Sequence, residues 1–339
     1  MLHSRSMVAE FFAGPLQDYL AHEDVTEVLM NRPGEVWTES RSGWQRHEVP
    51  VLDLPHLMHM AEAIAAYRGA TLDAEHPLLS VGLPGGERAQ FCIYPAVPEG
   101  TFSLTIRRPS SHIPTEQDIA PLFRLMKPGA RALPVMDHEL MRLKDEGDFL
   151  GFLRLAVTMR KTIVVSGQTG AGKTYVLKYL CSLIDQRERL VTIESVRELM
   201  LTQPNAVHLL YTDDEQGLAL ITPRQLLKAA LRMRPDRILL AEVRDEECFF
   251  FVRAAASGHP GSMTTLHAGT CEEAFAQMAL MIRQGPGGAG LPLQEIDRLL
   301  RMAVDVVVQF GNDPSEGRFV SELYFDPQRR LRAAQGAQA

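Results

Sequence analysis

Eight consecutive residues, Gly167-Gln168-Thr169-Gly170-Ala171-Gly172-Lys173-Thr174, have the types and spacing needed to hold a polyphosphate. They satisfy the pattern G-x-x-x-x-G-K-[ST]. The glycines let the backbone curl so that successive N–H groups face phosphate oxygens. Lys173 brings a point charge to the β- and γ-phosphates, and the Thr174 hydroxyl is a ligand for Mg²⁺. A helix beginning near Lys173, with Tyr175 in its first turn, turns its positive dipole end toward the same anion. Glycine-rich turns are common by themselves. This one follows an apolar run, Thr162–Val165, and precedes a helical stretch, which is the context the mechanism requires.

Other residues could act on a bound phosphate. Glu242 ends the buried-type run Ile238-Leu239-Leu240-Ala241. A carboxylate at the carboxyl end of a parallel strand lies in the crevice where such sheets bind ligands. There it can hold a magnesium-bound water or polarise an attacking one. No Asp precedes it, so its metal contact is expected through water. Glu194 ends a second run, Leu190–Ile193, and would share the work; which of the two is the general base stays open. Alone, either acid would read as a solvated residue at a strand terminus. Glu198 reads as structural. His259 and His267 flank a Ser- and Thr-rich strand in "ASGHPGSMTTLHAGT", where a hydrogen bond to the γ-phosphate or the catalytic acid is expected. No third ligand stands at a suitable spacing for a metal. Arg88 and Arg107 lie in strand-like segments that do not need arginine to fold. Their planar guanidinium groups suit a clamp on phosphates.

The elements that must position these groups follow from periodicity. A chain of 339 residues exceeds what one core comfortably serves, which is roughly 250–300 residues. Residues 1–110 read as an α+β domain. It has a helical stretch over Phe11–Leu20, strand alternation on both sides of the turn Asn31–Gly34, and a helix over Leu54–Tyr67. Two β-rich segments follow, separated by a turn at Pro98–Gly100. Residues 111–148, with Pro114, Pro121 and Pro128, read as a proline-rich linker. From 149 to 339, strands expected at Thr162–Val165, Leu190–Ile193, Arg237–Leu240, Ser262–Leu266 and Val304–Phe310 alternate with helices, the pattern of a parallel sheet covered on both faces.

Composition narrows the function. The net charge is -7, and residues 1–110 hold 8 Lys and Arg against 14 Asp and Glu. That balance argues against sequence-independent binding to duplex DNA. Cys92, Cys181, Cys248 and Cys271 are too scattered for a cysteine zinc site and read as reduced cytoplasmic thiols. The opening residues make a poor signal peptide. No apolar run approaches the roughly 20 residues of a spanning helix, so any membrane contact is peripheral.

Taken in order, "VTEVLMNRPGEVW", "GERAQ", "GTFSLTIRRPS", "GQTGAGKT", "TIESVREL", "RMRPDRILLAEVRDEE" and "ASGHPGSMTTLHAGT" resemble the secretion traffic ATPases, specifically the VirB11 family of type IV secretion systems. The resemblance runs from about residue 24 to residue 310. It implies an α/β fold with a RecA-like P-loop NTPase domain behind a smaller α+β domain. It also implies a homo-hexameric ring, ATP as substrate with Mg²⁺, and nucleotide held between the two domains of each subunit. By position, Gly167, Gly172, Lys173 and Thr174 would be the Walker A residues and Glu242 the Walker B acid. Glu194 would be the Asp-box glutamate, His259 and His267 the His-box pair, and Arg88 and Arg107 the phosphate-contacting arginines. Ser195 stands where the family usually has Asp. Implied partners are other secretion-system ATPases and inner-membrane channel components, with the protein cytoplasmic and peripheral to the inner membrane. The related readings are a pilus extension or retraction motor, a DNA translocase, and a nucleotide-dependent scaffold that does not hydrolyse.

Overall fold

The computed structural model describes residues 14–83, 85–109, 114–123, 133–212, 219–256, 258–315 and 317–329. After a short helix α1 (Gln17–Ala21), strands β1 (Glu27–Met30), β2 (Glu35–Ser40) and β3 (Gly43–Glu48) form a meander. The part of the expected first helix before residue 14 lies outside the described residues. Helix α2 (Leu54–Tyr67) starts where Asp53 accepts the His56 amide at 2.9 Å, with Pro55 in the first turn. Leu57, Met60, Ala61, Ile64 and Ala65, three and four apart, pack into one core with Val28, Met30, Leu104 and Ile106. Strands β4 (Leu78–Gly82), β5 (Arg88–Cys92) and β6 (Ser103–Arg107) complete an antiparallel sheet of order β3-β2-β1-β6-β5-β4. β5 and β6 pair as expected, but no tight turn joins them. The connection runs from Ile93 to Phe102 and buries Ala96 and Val97 against the rear sheet.

Helices α3 (Glu116–Phe123) and α4 (Val135–Asp145) lie in the proline-rich stretch, and Leu140 of α4 joins the rear core. The rear sheet contains β7 (Ile163–Gly167), β8 (Leu190–Glu194), β9 (Ala206–Leu210), β10 (Arg237–Leu240), β11 (Met263–Leu266), β12 (Val306–Asp313) and β13 (Gly317–Phe325). Its order is β13-β12-β7-β11-β10-β8-β9. All neighbours are parallel except β13, which returns antiparallel to β12. Alternate residues feed two apolar layers. Ile163 and Val165 face α5 (Phe149–Thr158) and α6 (Lys173–Ser182). Val164 faces the layer of α7 (Pro223–Ala230), α8 (Glu247–Ala256), α9 (Cys271–Gln284) and α10 (Leu293–Ala303). Burial on both faces explains why these strands read as continuous apolar runs. No described helix is long and apolar enough to cross a membrane.

The two sheets meet around Arg189, which is wholly buried. It donates to Met233 O (2.7 Å), Asn31 Oδ1 (2.7 Å) and Asn205 Oδ1 (2.6 Å), and its guanidinium lies 5.9 Å from the Trp44 ring. Burial away from any directly bonded carboxylate pushes its pKa down to about 10. Arg234 pairs with Glu39 at 2.6 Å, and the Leu210 amide donates to Ala96 O at 2.8 Å.

Candidate active site

β7 ends at Gly167. A Cβ there would stand 2.8 Å from the Phe310 carbonyl on β12, so the strand can turn off the sheet only as glycine. The chain then wraps through residues 168–172 and enters α6 at Lys173. The loop opens on a cleft of about 370 Å³ at the carboxyl ends of the parallel strands. Thr169, Gly170, Gly172, Lys173, Thr174 and Tyr175 line it from the loop, and Glu242 and His267 line it from the ends of β10 and β11. Gln168 and Ala171 complete the turn, with Ala171 buried.

Lys173 is nearly buried and donates to the carbonyls of Gly167 (3.0 Å) and Gln168 (3.2 Å). Its Nζ also lies 3.1 Å from His267 Nδ1, and His267 Nε2 stands 2.7 Å from Glu242 Oε1. The ring stands between the Lys173 ammonium, which reaches both its nitrogens, and the Glu242 carboxylate. The Nε2–Oε1 approach is close without being aligned as a hydrogen bond, so Oε1 keeps acceptor capacity. Glu242 Oε2 accepts from Arg244 Nε at 2.8 Å. Burial holds the Lys173 pKa below its ordinary value, and the Glu242 charge opposes that shift. A lysine, an imidazole and a carboxylate thus stand in series along the cleft.

The remaining expected residues fall elsewhere. Glu194, expected beside the γ-phosphate, is fully buried and does not line the cleft. Its carboxylate accepts from the Thr192 hydroxyl (2.7 Å) and from the amides of Glu198 (2.8 Å) and Leu199 (2.7 Å), with His208 Nδ1 at 3.4 Å. It ties down the segment after β8 that brings Ser195, Val196 and Glu198 to the cleft. The two histidines are separated because they sit at opposite ends of β11. His259 precedes the strand, with Nδ1 3.1 Å from the Pro235 carbonyl, and burial lowers its pKa.

Arg88 and Arg107 oppose each other in register on β5 and β6. They line a second cavity of about 600 Å³ with Glu27, Arg232, Arg234 and His259. Arg107 Nε stands 3.5 Å from Glu27, whose carboxyl burial raises to about 7. This cavity abuts the amino ends of the parallel strands, the pole opposite the phosphate loop. The single-chain clamp expected from sequence is therefore absent from this arrangement. Sequence reasoning also missed Glu198, Tyr211, Arg244 and Arg318 in the cleft lining. Glu198 and Arg244 carried a signal, since they lie within the quoted motifs. Arg318 carried none.

A phosphate loop on β7, an acid ending β10 and a histidine ending the strand between them define a RecA-like P-loop nucleoside triphosphatase, here behind an antiparallel front domain. The sequence matches the family described as type II/IV secretion system protein over residues 12–309. It is 43% identical over 330 residues to the type IV secretion system protein VirB11 of Brucella suis, covering 95% of this chain and 91% of that one. It is 42% identical over 336 residues to the type IV secretion system protein PtlH of Bordetella pertussis, covering 95% and 96%. The crystal structure of the Brucella suis VirB11 ATPase in complex with sulphate aligns with a TM-score of 0.93 at 41% identity, covering 98% of both chains. The chain belongs to the type II/IV secretion system family, in its VirB11 branch, and is an ATPase motor of a type IV secretion system.

Proposed function

We propose that the chain works as a homo-hexameric ring that hydrolyses ATP to move effector proteins, pilus subunits or a conjugative nucleoprotein through the secretion apparatus. In this reading the ring sits in the cytoplasm against the inner membrane and docks on the larger ATPases and channel components there. The observation that supports the chemistry best is the series Lys173–His267–Glu242 inside the phosphate-loop cleft. Arriving phosphates draw the Lys173 ammonium off the Gly167 and Gln168 carbonyls. Glu242 orients the attacking water, and His267 registers on one side whether Lys173 holds phosphate and on the other the charge of Glu242. Glu194 acts by shaping the cleft wall, not on the water.

Mg²⁺ fits the donor set. The cleft offers the Thr174 hydroxyl and Glu242, whose Oε1 is buried without a hydrogen-bond partner. No group of three His, Cys, Asp or Glu residues among the described residues could cage a metal. Such a sparse set suits a cation that keeps several waters and rests mainly on phosphate oxygens. When bound, it would neutralise charge developing on the β- and γ-oxygens.

The position of Arg88 and Arg107 makes the clamp an intersubunit device in this reading. Residues 1–110 of one subunit carry the arginines to the cleft of its neighbour, and residues 111–148 join them to the ATPase domain, 149–339. Phosphate release from the purified protein tests the core of the proposal. Lys173→Ala should abolish binding and turnover. Glu242→Gln should keep nucleotide binding while lowering single-turnover cleavage by about 10²-fold or more. Full cleavage in Glu242→Gln would refute the assignment.

A further inference from the structure

Arg318 lies on β13, outside every motif that marks the site, yet it reaches the phosphate loop. Its Nε donates to the Gly170 carbonyl at 3.2 Å. Its Cδ, Nε and Nη1 stand 3.0, 3.2 and 3.2 Å from where a Cβ on residue 172 would be. Gly172 has φ +88, so glycine is favoured there twice: by the backbone, and by the room it leaves for an arginine from a distant strand. Arg318 is exposed and lines the cleft, and its one hydrogen bond to the loop is to a neutral carbonyl.

Sheet order decides which part of a nucleotide it meets. β12 and β13 lie on one side of β7, whereas β11 and β10, with His267 and Glu242, lie on the other. Arg318 therefore approaches the loop from the side away from the acid that works on the γ-phosphate. We propose that Arg318 is a nucleotide-binding residue that exchanges the Gly170 carbonyl for a phosphate oxygen on the α side of bound ATP or ADP. A guanidinium gains by replacing a neutral acceptor with an anionic one, and its planar fork suits phosphate. The inference rests on the nucleotide reading of the cleft and adds a residue to it. Because substrate and product share the α-phosphate, the contact supports binding and leaves the bond-breaking step alone.

The test uses the full-length protein with Arg318→Ala and Arg318→Lys, and with Lys173→Ala as the reference for a disabled loop. Arg318→Ala should raise KM for ATP and Kd for ADP together by about tenfold, the order expected for one charge-assisted contact. It should leave kcat within about twofold, the mark of uniform binding. Arg318→Lys should recover part of the loss. An unchanged melting temperature would show that the exposed substitution leaves the fold intact. The inference is overturned if KM and ADP affinity stay at wild-type values, or if kcat falls at constant KM. Wild-type hydrolysis lost in Lys173→Ala but unaffected in Arg318→Ala would remove Arg318 and keep the ATPase. A wild-type protein that binds no ADP would remove both.

Discussion

Two acids end neighbouring parallel strands, and replacing each in turn separates their jobs. Among the described residues, the Glu194 carboxylate is the hydrogen-bond acceptor for the amides of Glu198 and Leu199. The Leu199 amide is buried, so leaving it unpaired costs toward the top of the ~1–3 kcal/mol range for such a group. The Glu198 amide is partly wet and should cost about 1 kcal/mol. Thr192 keeps His208 as a second partner. Glu194→Ala should therefore destabilise the ATPase domain by about 3–4 kcal/mol, roughly 6–16 °C in melting for a domain of this size. Glu194→Gln is gentler. With its carbonyl turned to the two amides and its NH₂ to Thr192 Oγ1, it loses charge assistance but orphans nothing, for about 1 kcal/mol. Burial alone would raise the Glu194 pKa. Hydrogen bonds from His208, the Leu199 amide, Thr192 and the Glu198 amide outweigh it and hold the carboxyl below its ordinary 4.5. A depressed acid stabilises the fold above its unfolded pKa, and that contribution fades as pH falls through the folded value. The stability gap between wild type and Glu194→Gln should thus close below pH 4.5. Single-turnover cleavage measured beside thermal denaturation should find Glu194→Gln within about fivefold of wild type, well short of the ~10²-fold expected for loss of a general base. If Glu194→Gln melts like wild type yet loses cleavage as fully as Glu242→Gln, the reasoning is wrong.

Mixing two inactive proteins tests whether Arg88 and Arg107 act across subunits. Lys173→Ala protein and Arg88→Ala/Arg107→Ala protein should each be inactive, and a co-assembled mixture of the two should recover part of the hydrolysis; a clamp within one chain recovers none. Arg189→Met removes the donor shared by Asn31, Asn205 and Met233. Asn205 Oδ1 keeps Asn31 Nδ2 as a donor, but leaving Asn31 Oδ1 and the Met233 carbonyl short of one should cost about 2–4 kcal/mol, and the junction around Trp44 should become sensitive to limited proteolysis before the cores melt. Equal protection of wild type and variant would refute that role for Arg189.

Much of this architecture was legible because each strand that carries the site is buried on both faces. Ile163–Gly167, Leu190–Glu194 and Arg237–Leu240 have no exposed side, so their apolar runs announce them without tertiary information. Helix α2 was equally plain, because its apolar stripe and its Asp53 cap agree. The strands that went unread are the margins of both sheets, β3 and β4 in front and β9 and β13 behind. β9 is interrupted by His208, which is needed at Glu194, and β13 is largely exposed along its length. β9 buries only Val207 and Leu209, too short an alternation to announce a strand, and both rear edges are specified in part by the strand each pairs with.

The same distinction governs the site. Lys173, Thr174, Glu242 and His267 all stand at the carboxyl ends of β7, β10 and β11 or in the first turn that follows, so a rule about parallel sheets places them together. His259 shares a motif with His267, yet the intervening strand has a direction, and direction sends the two rings to opposite poles. Arg88 and Arg107 are assigned to a pole by how two sheets pack, a choice made by the buried Arg189 junction and written in no local pattern. Arg318 depends on an antiparallel return that only the folded sheet reveals. Proximity along the chain therefore predicts a shared site only when no strand lies between the residues, and for a motor this has a mechanical consequence. The arginines ride on the front sheet and stand at the amino pole of the rear sheet, away from the phosphate loop, so in the proposed cycle their closure on phosphate comes from a neighbouring copy.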